Sequence, residues 1–181
     1  MYKRLFDLIF ALVGLLFLMG PLLILYVLAT IDTKQNGFFL QERIGQFGTT
    51  FIIYKIRTFS LSPEKPVSKF GAFLRKSKLD EIPQLWNVLK GEMSFVGPRP
   101  DVEGYYDILE GESRKILELK PGLTSTASIK YAYEDAILAK QENPLKYNDT
   151  VIFPDKIKIN LDYYYSNSMY GDLKIIWKTL F

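Results

Sequence analysis

At 181 residues the chain is long enough for one domain with a core of its own, even after one end is given to a membrane. Cysteine and histidine are both absent, which excludes disulfides, thiol nucleophiles, zinc sites of the Cys/His kind and a histidine general base. The same absence leaves only oxygen ligands for a metal, with magnesium the expected one, and the net charge of +3 suits contact with anionic lipid or phosphate but falls short of the basic face of a nucleic-acid binder.

From Leu8 to Ile31 no residue is charged, and the run exceeds the ~20 helical residues that cross a bilayer core. A cleaved signal peptide fits poorly, because the run is too long and no small-x-small site closes it. A single span and a helix that enters and leaves on one side both stay open. Gly20-Pro21 lies near the centre, where Pro21 cannot donate to the carbonyl of Phe17 and should kink the helix. Lys3 and Arg4 precede the run while Lys34, Arg43 and Lys55 follow it, and basic residues on both flanks favour the re-entrant form. Asp7 falls on the helical face of Lys3 and Arg4, and the pair of cations reads as a snorkelling anchor.

After the turn-rich Asp32 to Gly37, the aromatic and β-branched stretches Phe38 to Gly45 and Thr49 to Phe59 predict a small hairpin around Gly45 to Gly48. Lys55 and Arg57 alternate on its second strand, either as a phosphate-binding pair or as a solvated face. Ser60 to Ser68, with Pro63 and Pro66, reads as a loop. Phe70, Phe73 and Leu74 recur at helical spacing, and Arg75-Lys76 ends that helix.

The stretch Ser77 to Gly91 carries two adjacent carboxylates, Asp80 and Glu81. Pro83 fits only near a helix start, so the pair belongs to the first turn of a short helix that Gly91 stops. Acidic capping accounts for such a pair. A carboxylate kept ionised by the helix dipole is also a usable nucleophile. In Gly97-Pro98-Arg99-Pro100 the two prolines restrain the backbone around Arg99, which suits either a rigid turn or bidentate phosphate binding.

Tyr105 to Leu119 shows helical spacing and runs into Lys120-Pro121-Gly122-Leu123-Thr124; Tyr131 to Asn148 reads as a polar helix broken at Asn143-Pro144. Asp162 stands before Tyr163-Tyr164-Tyr165. At the C-terminus Leu173, Ile176, Trp177 and Leu180 share one helical face and Lys174 and Lys178 another, the pattern of a helix lying on a membrane or packed on a core.

Asp80-Glu81, Pro83-Gln84-Leu85, Asn87-Val88-Leu89-Lys90-Gly91 and Met93-Ser94 through Gly97-Pro98-Arg99-Pro100 resemble the long motif of the small monotopic phosphoglycosyl transferases of bacteria. The resemblance runs from Lys3-Arg4 to the final helix. It implies an α+β, α-dominant fold with an N-terminal re-entrant membrane helix (1–32, broken at Gly20 and Pro21), a small β-hairpin and interfacial amphipathic helices, the catalytic domain (33–181) lying on the cytoplasmic face of the bacterial inner membrane. It further implies transfer of a sugar-1-phosphate from a UDP-sugar to polyprenol (undecaprenyl) phosphate with release of UMP. Asp80 would be nucleophile and Mg²⁺ ligand, Glu81 a base or electrostatic partner, Lys55, Arg75 and Arg99 phosphate contacts, and Asp162 a further site residue. Ser125 to Tyr131 departs from the family pattern, which bears on the sugar or nucleotide contacts, and Gly20 replaces the family's usual serine before Pro21. A non-catalytic membrane scaffold and direct transfer without a covalent enzyme are the alternatives; homodimerisation is left open.

Overall fold

The computed structural model describes residues 2–61 and 66–181, so residues 62–65 of the loop expected from Ser60 to Ser68 lie outside the described residues. The chain divides into two compact units, residues 1–43 with 50–93 and residues 44–49 with 94–181.

In the first unit, α1 (Tyr2–Thr33) is one continuous helix with Pro21 inside it. The break expected at Gly20-Pro21 is not an interruption of helix, since a proline removes a single amide donor and the turns on either side keep theirs. Both ends of α1 pack on the unit, with Asp7 and Ala11 buried near the start and Ala29 and Thr33 near the end, while Phe17 between them is 81% exposed. The N-terminal end lies along α3 (Leu85–Lys90), where Arg4 donates to the carbonyls of Val88 and Leu89 at 2.6 and 2.8 Å. Arg4 thus caps the C-terminus of α3, a more specific role than the expected surface anchor. The other end joins Ala29 to a core with Ile56 and Leu74, flanked by Tyr26, Phe70 and Leu79.

The expected hairpin is β1 (Phe38–Ile44) and β2 (Thr50–Ile56), which pair as a two-stranded sheet. Next comes α2 (Lys69–Ser77), whose N-cap Ser68 accepts from the Gly71 amide at 2.9 Å and donates to Asp32 at 2.6 Å. The short helix expected from Asp80 to Lys90 is two pieces. A 3-10 segment covers Leu79–Gln84, with Asp80 and Glu81 in its first turn, and α3 follows. Pro83 sits in the 3-10 piece, and Gly91 (φ 87°) closes α3 in the left-handed conformation.

The second unit is built around β3 (Ser94–Val96) running parallel to β4 (Gly122–Thr124). A Cβ on Gly122 would overlap the backbone of Gly97, so these two glycines let the chains on either side touch. The amide of Gly122 donates to the Pro98 carbonyl at 2.8 Å, which fixes the Gly97-Pro98-Arg99-Pro100 turn to β4. Between the strands, the helix expected from Tyr105 to Leu119 shrinks to a 3-10 segment, Gly111–Glu118. Gly104 (φ 94°) and Gly111 (φ 56°) adopt left-handed backbone, and Asp107 captures the amides of Gly104 and Tyr105, so the local turn displaces the helix.

After β4 come α4 (Thr126–Lys130), α5 (Glu134–Leu138) and α6 (Pro144–Tyr147), short pieces in place of the longer polar helix expected. A π-turn at Asn148–Ile152 leads into α7 (Phe153–Ser166), and α8 (Met169–Leu180) ends the chain. The core of this unit gathers Ile44, Tyr106, Ile116 and Leu117 under Phe153, Ile157 and Leu161 of α7. On α8, Leu173, Trp177 and Leu180 are exposed. The fold is therefore mostly helical α+β, with a long apolar N-terminal helix and small sheets.

Candidate active site

The first unit brings three of the expected site residues together. Leu79–Gln84 packs on β2 and carries Asp80 and Glu81; Lys55 comes from β2, and its Nζ lies 3.0 Å from Glu81 Oε1. Both partners are largely enclosed, with side chains 17% and 12% exposed, so the pair is screened less than a surface ion pair.

Asp80 is buried, and its Oδ1 has no hydrogen-bond donor among the described residues. Burial pushes its carboxyl above the ordinary value of 3.8 and the neighbouring Glu81 adds to the rise, with Lys55 and Lys78 opposing it. The backbone hydrogen bond at the start of this turn acts to lower the value, but loss of water outweighs it. Lys78, which joins α2 to this turn, is itself left-handed (φ 57°).

Arg75 of α2 donates from Nε to Thr58 Oγ1 at 2.9 Å, and its guanidinium lies 3.8 Å from the centroid of Phe59. Arg57 does not form a pair with Lys55. Strand β2 ends at Ile56, so alternation stops there, and Arg57 donates to the carbonyls of Asn36 and Phe38 at 2.7 and 3.2 Å.

The other two expected residues belong to the second unit. Arg99 is exposed in its turn and lines a cavity of about 20 Å³ with Pro98, Pro100 and Tyr106. Asp162 is exposed on α7, and the tyrosines after it turn their hydroxyls to other carboxylates: Tyr163 to Asp172 (2.6 Å), Tyr164 to Glu118 (2.6 Å) and Tyr165 to Glu112 (2.7 Å). Ser125 is also committed elsewhere, because its Oγ caps α4 by accepting from the Ser128 amide at 2.9 Å.

Sequence reasoning passed over Asn87, which is fully buried on α3 and bonded to both α3's own exit and strand β2. The signal was a lone amide among Leu85, Val88 and Leu89 in a short apolar helix.

Among the described residues no three acidic side chains cluster as a metal cage. Magnesium does not require one, since it is commonly held by one or two carboxylates together with substrate phosphates. The donor-less buried oxygen of Asp80 fits that mode. The arrangement offers a buried carboxylate, a lysine-held second carboxylate, and two cations, Lys55 and Lys78, whose charges act on the first.

Known proteins resemble the chain along its whole length. It is 32% identical over 208 residues to the exopolysaccharide production protein ExoY of Rhizobium meliloti, covering 99% of this chain and 84% of that one. It is 32% identical to the UDP-glucose:undecaprenyl-phosphate glucose-1-phosphate transferase of Caulobacter vibrioides, covering 98% and 68%. It is 30% identical to the UDP-N-acetylgalactosamine-undecaprenyl-phosphate N-acetylgalactosaminephosphotransferase of Aeromonas hydrophila, covering 98% and 42%. The chain spans 62% and 41% of the length of two other relatives. The family model described as bacterial sugar transferase matches residues 1–181, and the chain belongs to that family.

Proposed function

We propose that the chain transfers a sugar-1-phosphate from a UDP-sugar to undecaprenyl phosphate, forming undecaprenyl-diphosphate-sugar and UMP as the first membrane step of polysaccharide assembly. The observation that carries this reading is the buried carboxylate of Asp80, whose Oδ1 has no donor among the described residues, beside the Lys55–Glu81 pair, in a chain with no thiol or imidazole to serve instead. Membership of the sugar transferase family and relatives named for this reaction support it.

In the proposed reaction an Asp80 oxygen attacks the β-phosphorus of the donor. A bond forms between that oxygen and phosphorus, the bond from the same phosphorus to the bridging oxygen breaks, and UMP leaves with the bridging oxygen and its electron pair. An oxygen of the lipid phosphate then attacks the phosphosugar, and the Asp80 carboxylate departs unchanged. Lys55 and Arg75 stabilise phosphate oxygens, and Arg99 contributes to phosphate binding in the same role. Glu81, held by Lys55, acts as base or electrostatic partner. Asp80 would hold Mg²⁺, whose charge offsets that of the donor diphosphate when bound.

The same reading makes α1 a re-entrant membrane helix, with the rest of the chain on the cytoplasmic face of the inner membrane. What supports it is that both ends of α1 pack on one compact unit, while nothing lies within 4 Å of a Cβ built at Gly20. A helix pinned at both ends to the same water-facing body returns to the side it left.

The test is UMP release by the purified full chain with undecaprenyl phosphate, Mg²⁺ and a panel of UDP-sugars. Release beyond one UMP per chain that depends on the acceptor is expected with at least one donor; silence with every donor leaves the scaffold reading standing.

A further inference from the structure

We infer that Asn87 is a positioning residue, one that sets Lys55 against the Asp80–Glu81 turn; the inference rests on the reaction proposed above. The hairpin sheet has only two strands, so β2 has an edge that β1 does not cover. Asn87 takes the place of a third strand there. Its Nδ2 donates to the Ile52 carbonyl at 2.6 Å, and its Oδ1 accepts from the Tyr54 amide at 3.3 Å, so one side chain satisfies a backbone acceptor and a backbone donor two residues apart. Lys55 is the next residue along that strand.

The same residue fixes the other side of the constellation. Asn87 lies on α3, which continues directly from the 3-10 turn bearing Asp80 and Glu81, and its own carbonyl accepts from the amides of Gly91, Glu92 and Met93 at 3.1, 3.0 and 3.2 Å. Glu92, turned back by that exit, accepts from Asn87 Nδ2 at 2.8 Å and pairs with Lys90 at 2.5 Å. The amide is therefore held by its environment in the orientation that grips β2.

These contacts close a ring. It runs from Lys55 across 3.0 Å to Glu81, along the turn into α3, through Asn87 to Ile52 and Tyr54, and back along β2 to Lys55. Without Asn87 the ring is open, and the strand that carries Lys55 loses its tie to α3 through Ile52 and Tyr54. A buried amide bonded on all sides could equally be a general stabiliser, so the test must separate placement of Lys55 from overall stability.

The experiment is a double-mutant cycle on kcat/KM for UMP release, using the full chain with an active donor, undecaprenyl phosphate and Mg²⁺. Asn87→Ala alone is expected to lower kcat/KM by about 100-fold, the scale set by displacing a group by about 1 Å. In the Lys55→Ala background the same change should cost less than about 3-fold, because the group it positions is gone. Losses that multiply in the double variant would overturn the inference and leave Asn87 a structural residue. If Asn87→Ala does not fold, Glu92→Ala, which removes the contact orienting the amide, is read in the same cycle with the same two outcomes. If no donor supports UMP release in the unmodified chain, the reaction is wrong and the positioning is read separately, from thermal unfolding. The non-additivity of Lys55→Ala and Glu81→Ala should then be present in the unmodified chain and lost with Asn87→Ala; its persistence would overturn the inference.

Discussion

Asp80 is costly where it stands. A carboxylate 8% exposed, with one oxygen lacking a donor and Glu81 next to it in the chain, is more stable protonated than it would be in water. Its pKa in the fold lies above the ordinary 3.8, so on linkage grounds the folded state holds the proton after the unfolded state has lost it. Stability contributed by this group is fully present below 3.8 and is lost as pH rises through the higher folded value. Asp80→Asn should accordingly raise stability at neutral pH by about 1 kcal/mol, or about 2–4 °C in Tm for a chain of this size, while abolishing transfer. The gain should shrink as the pH is lowered towards 3.8. Thermal unfolding of both proteins across that range, without donor or Mg²⁺, measures it; an Asp80→Asn protein less stable than its parent at neutral pH would show that the carboxylate is satisfied.

At the scale of elements, what could be read in the sequence were the features fixed by local pattern. The apolar run of α1, the hairpin, the helix ending at Arg75-Lys76 and the stop at Gly91 all follow from periodicity and from residues with one backbone use. Tyr105 to Leu119 has helical spacing too, yet Asp107 and two left-handed glycines turn most of it into loops and 3-10 structure. Gly97 and Gly122 meet across a parallel strand pair, a contact that no local window contains. The site was legible in the same measure: Asp80 and Glu81 sit adjacent in sequence, whereas the grip of Asn87 on β2 joins residues more than thirty positions apart. For α1, the element-scale prediction concerns Pro21. Replacing it by leucine restores an amide donor and removes the ring that crowds the preceding turn, which favours a straight helix able to span. Tags at both ends of the unmodified chain should be shielded from outside intact cells, and Pro21→Leu should expose the N-terminal tag in part of the population. An outward-facing N-terminus in the unmodified chain would defeat the re-entrant reading.

For the molecule as a whole, the proposed reaction raises the question of how one small chain would join a water-soluble nucleotide donor to an acceptor that stays in the bilayer. Its long apolar helix is consistent with membrane association, and in the proposed reaction the nucleophile is the chain's own Asp80, so the two substrates would not need to be held at once. A covalent phosphosugar on Asp80 would store the transferable group after UMP has gone, until the lipid phosphate arrives. This separates the covalent route from direct transfer, in which nothing happens until both substrates are bound. With donor and Mg²⁺ but no acceptor, the covalent route releases at most one UMP per chain and leaves the protein heavier by a phosphosugar. Adding undecaprenyl phosphate should then discharge the adduct without further donor. Asp80→Asn should show neither the burst nor the mass increase, whereas Glu81→Gln should slow turnover and still permit labelling. Intact-protein mass followed by peptide mapping under conditions that preserve acyl phosphates reads all of these. UMP release that strictly requires the acceptor, with no adduct at any time, would establish direct transfer, and an adduct mapping to Glu81 would exchange the roles of the two carboxylates.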